Sequence, residues 1–311
     1  MASLIGFGAY VPERVLTNTE LATSLGCAPE WISEVSGIET RHIAEESQSV
    51  VDMAVLAARD CLSEARVEPG EIGLLIVSTG SAERRFPGPA ASVGKELGIP
   101  GVPCLDLPVA SAGSLFGLSL ASRLTEAYGR ILVVAAEKMS AIAQQKPLDK
   151  NIAILFGDGA GACLVTQDSG PLRIIDSLVR SDGSFADDLR LDANGRLTMN
   201  GLSVIMQASR KIPNVIQELL KKHGIAAAEA AVFLMHQANQ NLIDRVAKAL
   251  GVPTSRFYSN IARLGNTSSA SMLIAAAEYF KENQLRQGDK VVFATFGAGF
   301  HWGALLAEST V

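Results

Sequence analysis

A series of strand and helix patterns occurs twice along the chain, in the same order and with nearly the same spacing. The corresponding positions, each pair 158 residues apart, are Leu74 and Val232, Val133 and Val291, and Ser111 and Ser269. The first two pairs lie in apolar strand patterns, and the third lies in helical segments rich in alanine and serine. Agreement of three spacings in one order favours a duplicated unit, which restricts the chain to folds made of two similar halves.

The two halves also end alike, because FGDGAGACLV at residues 156–165 is similar to FGAGFHWGALL at residues 296–306. These endings are only 140 residues apart, so the first half is predicted to carry an insertion of 18 residues, roughly residues 139–155. We therefore predict an N-terminal half of residues 1–168 and a C-terminal half of residues 169–311.

Short apolar runs alternate with longer helical patterns through both halves. Strands are predicted at residues 5–10, 72–79, 131–135, 231–235 and 290–295, with a further strand before Asp106. Helices are predicted at residues 18–25, 49–65, 89–97, 203–222, 239–250 and 268–280, the first of them capped by Asn18. This βαβα order predicts an α/β protein with mostly parallel sheets covered by helices.

The run from residue 107 to residue 122 contains no charged side chain and is predicted to form a buried central helix. It is too short, and too rich in serine and glycine, for a membrane span. Its first turn carries Ser111 between two alanines. Free backbone N–H groups and the positive end of the helix dipole favour an oxyanion or an acyl carbonyl there. The alternative is that Ser111 is an N-cap packed among small residues.

Composition and charge exclude several classes of partner. With 311 residues, 48% of them hydrophobic, the chain can bury a large core. Its formal net charge is −5 and its basic residues are scattered, so neither nucleic acid nor an anionic membrane surface is an expected partner. The N-terminal residues show no basic segment followed by an apolar segment, so no signal peptide is expected.

The cysteines predict the redox environment. They are Cys27, Cys61, Cys104 and Cys163. They stand far apart, without a CxxC pair or a histidine at metal-binding spacing. This pattern favours a reduced, cytoplasmic protein without a disulfide framework or a zinc site.

Seven short motifs are spread over nearly the whole chain. They are GFGAYVP at 6–12, EWI at 30–32, SGIETRH at 36–42, FGDGAG at 156–161, HQAN at 236–239, GNTSSAS at 265–271 and FGAGFHWG at 296–303. Together they resemble the ketoacyl synthase III branch of the thiolase-fold condensing enzymes, and the combination of the last three is highly specific. The resemblance implies a duplicated five-layered αβαβα sandwich, usually a homodimer, that transfers an acyl group from coenzyme A.

The resemblance assigns catalytic roles to individual residues. Ser111 matches the nucleophile position, which is a cysteine in the family, and His236 and Asn266 match the other two catalytic residues. The backbone N–H groups of Ser111 and Ala298 match an oxyanion site, although a middle glycine is common where Ala298 stands. These groups would supply a nucleophile, a neutral donor pair for an enolate or thioester oxygen, and oxyanion donors. Without the resemblance, His236 could equally be a core histidine, and Asn266 a turn or cap residue.

The positions that contact coenzyme A in the family are only partly retained. Trp31 matches a tryptophan that stacks on the adenine ring, although it could also be a core or interface residue. Lys150 stands in place of an arginine beside that nucleotide. Val35 and Asn241 replace basic residues, so the electrostatic part of coenzyme A and carrier-protein binding is expected to be weakened.

The resemblance also implies partners. Lys248 and Arg210 are the charges that remain for docking an acyl carrier protein, and Phe86 matches a residue that lines the partner subunit's acyl pocket. We expect a homodimer in which the Ser111 helix and the strand at 131–135 lie near the two-fold axis, with the insertion over the active-site tunnel. No metal and no resident cofactor are expected, because the coenzyme A thioester is a substrate.

The serine at position 111 is the main departure from the family, and it leaves three functions open. One is acyl transfer from acyl-CoA and decarboxylative condensation with a malonyl carrier, in fatty acid or polyketide biosynthesis. The second is a serine-dependent O- or N-acyltransferase, or a priming enzyme of natural-product assembly, because serine needs a general base and its ester is a poorer acyl donor to carbon. The third is a catalytically silent partner. Ser111 could also be a substitution of the family's cysteine, made to trap a complex.

Overall fold

The computed structural model describes residues 2–311. The strands are β1 (Ser3–Tyr10), β2 (Val15–Thr17), β3 (Thr40–His42), β4 (Ile72–Ser78), β5 (Cys104–Leu107), β6 (Arg130–Lys138), β7 (Asp158–Thr166), β8 (Leu172–Ser181), β9 (Leu189–Leu191), β10 (Leu197–Met199), β11 (Ala230–Met235), β12 (Lys290–Gly297) and β13 (His301–Ser309). The α-helices are α1 (Asn18–Leu25), α2 (Pro29–Ser36), α3 (Val50–Ala65), α4 (Pro89–Glu96), α5 (Gly113–Tyr128), α6 (Ser140–Ala143), α7 (Lys150–Ala153), α8 (Gly201–Lys222), α9 (Gln240–Leu250), α10 (Ile261–Leu264) and α11 (Ser271–Glu282).

Nine strands form one sheet in the order β11-β12-β13-β8-β1-β7-β6-β4-β5. The order β4-β6-β7-β1 in the first half of the chain is repeated as β11-β12-β13-β8 in the second. The first half has β5 as an additional outer strand, and in the second half an isolated bridge between Phe233 and Phe257 takes its place. In both halves the strands at the outer end are parallel, and the following pairs are antiparallel. The two halves join where β1 pairs with the start of β8.

Helices cover the sheet in layers. The middle layer consists of α5 and α11, whose side chains, such as Leu118 and Ile274, share one core with strands of both halves. Helices α3 and α4 cover the outer face of the first half, and α8 and α9 cover that of the second. The order of layers is therefore helix, first half of the sheet, helix, second half of the sheet, helix. The predicted α/β class and the duplicated αβαβα sandwich are confirmed. The prediction of mostly parallel sheets is wrong, because only the outer pairs β11-β12, β6-β4 and β4-β5 are parallel and the other pairs of the sheet are antiparallel.

The predicted boundary between residues 168 and 169 falls between β7 and β8, and the division into two domains stays a prediction. The predicted insertion contains the short helices α6 and α7. Asp158 holds the first residues of the insertion in place, because its carboxylate accepts hydrogen bonds from the backbone N–H and the hydroxyl of Ser140 and from the N–H of Ala44. Burial raises the pKa of this carboxyl group.

Three local predictions about helix starts are wrong. Thr17, not Asn18, caps α1, because the Thr17 hydroxyl accepts a backbone N–H of the first turn. The helix that was to include Ser111 begins two residues later, since Ser111 has a φ of 61°, which a right-handed helix cannot contain. The small-residue helix predicted from residue 268 opens as a 3-10 turn and becomes α-helical only at Ser271.

The strand predicted at residues 131–135 is not an edge strand. It lies within β6, which is hydrogen-bonded to β4 on one side and to β7 on the other. The free edge of the first half is β5, where Leu105 and Asp106 are exposed. An intersubunit sheet contact next to the Ser111 helix would therefore use β5 and not β6.

None of the helices described for residues 2–311 is both long and apolar enough to cross a membrane. In the same part of the chain, no group of three or more His, Cys, Asp or Glu side chains is arranged to hold a metal ion. The four cysteines are free thiols.

Gly8 generates a prediction about the packing of α3 on β1. A Cβ at Gly8 would lie 2.2 Å from the Cys61 nitrogen and 2.4 Å from the Ala57 oxygen, both in the backbone of α3. We expect Gly8→Ala to lower the free energy of unfolding by about 1–3 kcal/mol, because the helix must move away from the sheet. Urea denaturation measures this loss. Gly70→Ala is the matched control, since a Cβ at Gly70 meets no atom within 4 Å among the described residues, and an equal loss in both variants would contradict the argument.

Candidate active site

Ser111 lies in a tight turn between β5 and α5. Its φ of 61° is in the left-handed region, and the N–H of Ala112 donates to the Ala110 carbonyl at 2.7 Å. Gly297, at the end of β12, packs directly on this turn, because a Cβ there would lie 2.1 Å from the Ala110 oxygen. The second half of the chain thus holds the turn that carries Ser111 at the N-terminal end of α5, where backbone N–H groups lack helical partners.

Ser268 is a second serine in the left-handed conformation, with a φ of 47°. Its hydroxyl oxygen lies 3.1 Å from the Ser111 nitrogen and 3.3 Å from Ser111 Oγ, across a separation of 157 residues. Because Ser268 shares the left-handed φ of Ser111 and meets it directly across the two halves, the structural counterpart of Ser111 is Ser268. The pairing of Ser111 with Ser269 from the repeat spacing is wrong by one residue, and Ser269 instead donates to the Glu137 carboxylate.

His236 directly follows β11 and is 4% exposed. Its Nδ1 lies 2.7 Å from Ser271 Oγ, which also donates to the Ser268 carbonyl at 2.9 Å and accepts the Gln237 N–H at 3.1 Å. Because the Ser271 hydroxyl has one proton, all three bonds exist together only when Nδ1 donates. The imidazole therefore carries its proton on Nδ1, which leaves Nε2 as an acceptor. Burial lowers the pKa of His236 to about 4, so the ring is neutral near pH 7.

Asn266 is held by its backbone and by one side of its amide. Its N–H donates to the Leu155 carbonyl at 2.9 Å, and its carbonyl accepts the Gly157 N–H at 3.1 Å. The Oδ1 atom accepts the Ser268 N–H at 2.9 Å, which fixes the orientation of the amide, while Nδ2 is 3.4 Å from the Ala238 carbonyl. The expected pair of neutral donors is therefore only half present: Asn266 is a donor, and His236 is an acceptor at Nε2.

Two small cavities meet at Ser111. The first, of about 100 Å³, is lined by Ser111, His236 and Asn266 together with mainly apolar side chains. The second, of about 60 Å³, is lined by Ser111, Ser268 and Ala298 and contains neither His236 nor Asn266. A larger cavity of about 500 Å³, between β1 and the end of α11, is lined by none of the predicted site residues. The structure thus brings four of the predicted residues together and places Ser111 between two compartments.

Trp31 and Lys150 form a second group. The Lys150 ammonium lies 5.2 Å from the centre of the Trp31 ring, within the range of a cation–π contact. Arg41 fixes the end of α7, the helix that carries Lys150, because its buried guanidinium donates to the Ile154 carbonyl at 2.7 Å. The Arg41 guanidinium also donates to the side chain of Asn18 in α1 at 2.7 Å. Arg41 therefore holds α7, which carries Lys150, in a fixed position relative to α1.

The remaining predicted positions lie apart from these two groups. The Val35 carbonyl accepts the side-chain N–H groups of Asn239 and Asn241 at 3.0 and 3.2 Å, so Asn241 joins α2 to α9. Phe86 is 87% exposed and lines neither cavity of Ser111 within one chain.

Three residues beside the site were not predicted from the sequence, namely Ser268, Ser271 and Glu137. The first two lie in the motif GNTSSAS, which singles out that segment but not the serine within it that contacts Ser111. Glu137 follows the predicted strand at 131–135, and a carboxylate two positions beyond an apolar strand is the feature that could have marked it.

Known proteins of a single family match this chain. Residues 105–183 match the family "3-Oxoacyl-[acyl-carrier-protein (ACP)] synthase III", and residues 220–309 match its C-terminal family. The β-ketoacyl-[acyl-carrier-protein] synthase III of Nitratidesulfovibrio vulgaris is 36% identical over 323 residues, which cover 97% of this chain and 97% of that protein.

Solved structures are similar over the same length. The 3-oxoacyl-[acyl-carrier-protein] synthase III from Aquifex aeolicus has a TM-score of 0.95 at 34% identity, covering 99% of this chain and 100% of that chain. The priming β-ketosynthase from the R1128 polyketide biosynthetic pathway has a TM-score of 0.92 at 31% identity, covering 100% of this chain and 96% of that chain.

His236 generates a prediction about stability in acid. Below the ordinary histidine pKa of 6.5 the unfolded chain binds a proton that the folded protein accepts only near pH 4. The contribution of His236 is therefore complete above pH 6.5 and is lost as the pH falls toward 4, by up to about 3 kcal/mol. Urea denaturation across this range should show a smaller loss in His236→Gln than in the parent protein. Equal acid losses in the two proteins would contradict the assignment of a buried neutral imidazole.

Proposed function

This chain belongs to the 3-oxoacyl-[acyl-carrier-protein] synthase III family, and we propose that it takes an acyl group from coenzyme A onto Ser111 and condenses that group with a malonyl unit on a carrier protein. The observation that carries this proposal is the shared cavity of Ser111, His236 and Asn266, in which His236 is neutral with Nε2 free to accept a proton.

In the acylation step, Ser111 Oγ attacks the thioester carbonyl and passes its proton to His236 Nε2. The tetrahedral oxygen is held by the backbone N–H groups of Ser111 and Ala298, which line the same compartment. The C–S bond then breaks, the coenzyme A sulfur takes the proton from His236, and the acyl group remains on Ser111 as an ester. His236 is the residue that makes a serine hydroxyl reactive near neutral pH.

In the condensation step, the malonyl carboxylate leaves as CO2, and the electron pair of the broken C–C bond forms an enolate. Asn266 Nδ2 donates a hydrogen bond to the enolate oxygen. The enolate carbon attacks the Ser111 ester, the acyl C–O bond breaks, and the Ser111 oxygen takes up one proton from water. The largely apolar lining of the cavity favours loss of a charged carboxylate as neutral CO2.

Coenzyme A and the carrier protein would approach from the surface formed by α2, α7, α8 and α9. Trp31 and Lys150 suit the adenine ring and a phosphate group. Leu202 and Met206, 74% and 58% exposed on α8, lie beside the residues that line the Ser111 cavity. With Arg210 on α8 and Lys248 on α9, they offer a partly apolar, basic surface that suits an anionic carrier.

The proposed substrates are acyl-CoA and malonyl carrier, and the proposed chemistry uses no metal and no resident cofactor. The free cysteines are consistent with a cytoplasmic protein.

A second candidate is transfer of the acyl group to an alcohol or an amine. The observation that favours it is Ser111 itself, because an oxygen ester is a poorer acyl donor to carbon than a thioester. The acylation step is the same, and only the acceptor that enters the cavity differs. A priming enzyme of natural-product assembly falls under this candidate.

Acylation of Ser111 is the first test. Incubation with short acyl-CoAs should add one acyl group to the intact mass, and Ser111→Ala should abolish the adduct. His236→Ala should slow its formation about a hundredfold or more, because the general base is lost. If the parent protein never acylates but Ser111→Cys does, the serine is not the nucleophile of an active enzyme, and the chain represents the family's cysteine enzyme in substituted form.

The acceptor is tested with the same proteins. Acyl-CoA and malonyl carrier should yield CO2 and a ketoacyl carrier with the parent chain, and more of it with Ser111→Cys. An acylated parent protein that gives product only with alcohols or amines would favour the second candidate. Absence of condensation product from both proteins would exclude the first, and absence of any turnover that depends on His236 would leave a silent partner.

We also propose a homodimer that pairs through the free edge of β5, so that Phe86 enters the neighbouring subunit's acyl compartment. The support is the exposed β5 edge beside the Ser111 turn and an aromatic side chain that is 87% exposed. Such an edge tends to pair with another strand, and a two-fold axis satisfies both copies at once.

The dimer proposal predicts both assembly and specificity. Sedimentation equilibrium at micromolar concentration should give a dimer. Phe86→Ala should widen the range of acyl-CoA chain lengths that acylate Ser111, because it removes a large side chain from the compartment, and it should leave the affinity for free coenzyme A unchanged. A monomer, or an unchanged chain-length profile, would show that the interface lies elsewhere. Trp31→Ala is the converse control, which should weaken coenzyme A without changing the profile.

A further inference from the structure

We infer that Ser268 is a positioning residue that orients Ser111 and stabilises the negative charge that develops on its oxygen during acylation. The inference rests on the proposed use of Ser111 as nucleophile. Ser268 was not among the predicted site residues, and it contacts Ser111 directly through its hydroxyl group.

The three polar groups of Ser268 reach three different residues of the site. Its hydroxyl contacts Ser111, and its N–H donates to Asn266 Oδ1 at 2.9 Å. Its carbonyl accepts the Ser271 hydroxyl at 2.9 Å, and Ser271 in turn contacts His236 Nδ1 at 2.7 Å. One residue therefore links the nucleophile, the amide donor and the base, and it fixes both the amide orientation and the proton position on the imidazole.

The hydrogen-bond directions determine what the hydroxyl does. Ser268 Oγ accepts the Ser111 N–H at 3.1 Å, so its own proton is free to be donated to Ser111 Oγ at 3.3 Å. The Ser111 proton is then available to His236. As that proton leaves, Ser268 donates to an oxygen of increasing negative charge, and such a hydrogen bond is stronger than one between neutral groups. When a thioester oxygen takes over the Ser111 N–H, the bond from Ser268 to Ser111 Oγ remains.

The backbone of Ser268 supports a functional role. Its φ of 47° is unfavourable for any residue with a Cβ. Glycine would adopt this conformation without strain and would keep the N–H and C=O contacts. A serine at this position therefore retains a hydroxyl at the expense of stability, which is the pattern found where backbone strain serves a site.

The decisive variant is Ser268→Gly, which removes only the hydroxyl and relieves the left-handed strain. We expect its free energy of unfolding to be equal to or higher than that of the parent, whereas the rate of Ser111 acylation by a short acyl-CoA falls about tenfold or more with little change in KM. A time course of intact mass measures the rate. An unchanged or faster rate would overturn the inference.

Ser114→Ala is the matched control. Ser114 is a buried serine three positions after Ser111, and its hydroxyl has no hydrogen-bond partner among residues 2–311. The control should acylate at the parent rate. A loss equal to that of Ser268→Gly would mean that removal of any buried hydroxyl near the turn slows acylation, which would also overturn the inference.

A second readout does not depend on acyl chemistry. In the Ser111→Cys protein, iodoacetamide alkylation of the introduced thiol, followed by peptide mass mapping, reports the thiolate fraction at each pH. Adding Ser268→Gly should raise the pKa of that thiol and slow its alkylation near neutral pH. If neither the parent protein nor Ser111→Cys accepts an acyl group, the proposed function fails, and alkylation of the introduced thiol in the Ser111→Cys protein still tests the role of Ser268. If acylation occurs but Ser268→Gly alters neither acylation nor alkylation, the inference fails and the proposed function stands.

Discussion

The buried carboxylate of Glu137 joins the two halves of the chain beside the candidate active site. Its donors are the Thr79 hydroxyl, the Gly80 N–H, the Ser81 hydroxyl, and the N–H and hydroxyl of Ser269. A fully buried charge needs such donors, because losing them would leave it uncompensated in a medium of low polarity. Gly80 packs against Ala110, and Ser269 follows Ser268. The position of this one carboxylate therefore fixes how the two serine turns meet.

Duplication explains why such a meeting point exists. The central helices α5 and α11 share one core, and the segments before their N-terminal ends meet where the Ser268 hydroxyl contacts the Ser111 N–H. The two turns then serve different purposes, since the first carries Ser111 and the second supplies Ser268 and Asn266. Both serines have positive φ, which is unfavourable by roughly 1–2 kcal/mol each. Close packing by Gly297 and the donors to Glu137 hold this strain in place.

The sequence predicted what depends on local pattern and missed what depends on contact across the halves. The strand and helix order followed from periodicity, whereas the sandwich and the grouping of Ser111, His236 and Asn266 followed from the resemblance to the family. The start of α5 did not, because the left-handed turn is enforced by β12, which is remote in sequence. The repeat spacing pointed to Ser269 and not to Ser268 for the same reason: a one-residue difference changes which hydroxyl faces Ser111, and nothing in the alanine and serine composition reports it.

The electrostatics around His236 bear on whether a serine can act at position 111. A helix N-terminus lowers the pKa of a cysteine thiol, whereas a serine hydroxyl needs a base beside it. Burial keeps His236 uncharged while making it a weaker base, and the Ser271 hydroxyl directs its proton to Nδ1. The same arrangement makes His236 an acceptor, so it can support an enolate as a donor only if the Ser271 hydroxyl rotates from the Ser268 carbonyl to Nδ1. In the proposed mechanism, the orientation of the Ser271 hydroxyl would therefore decide whether His236 serves acylation or condensation.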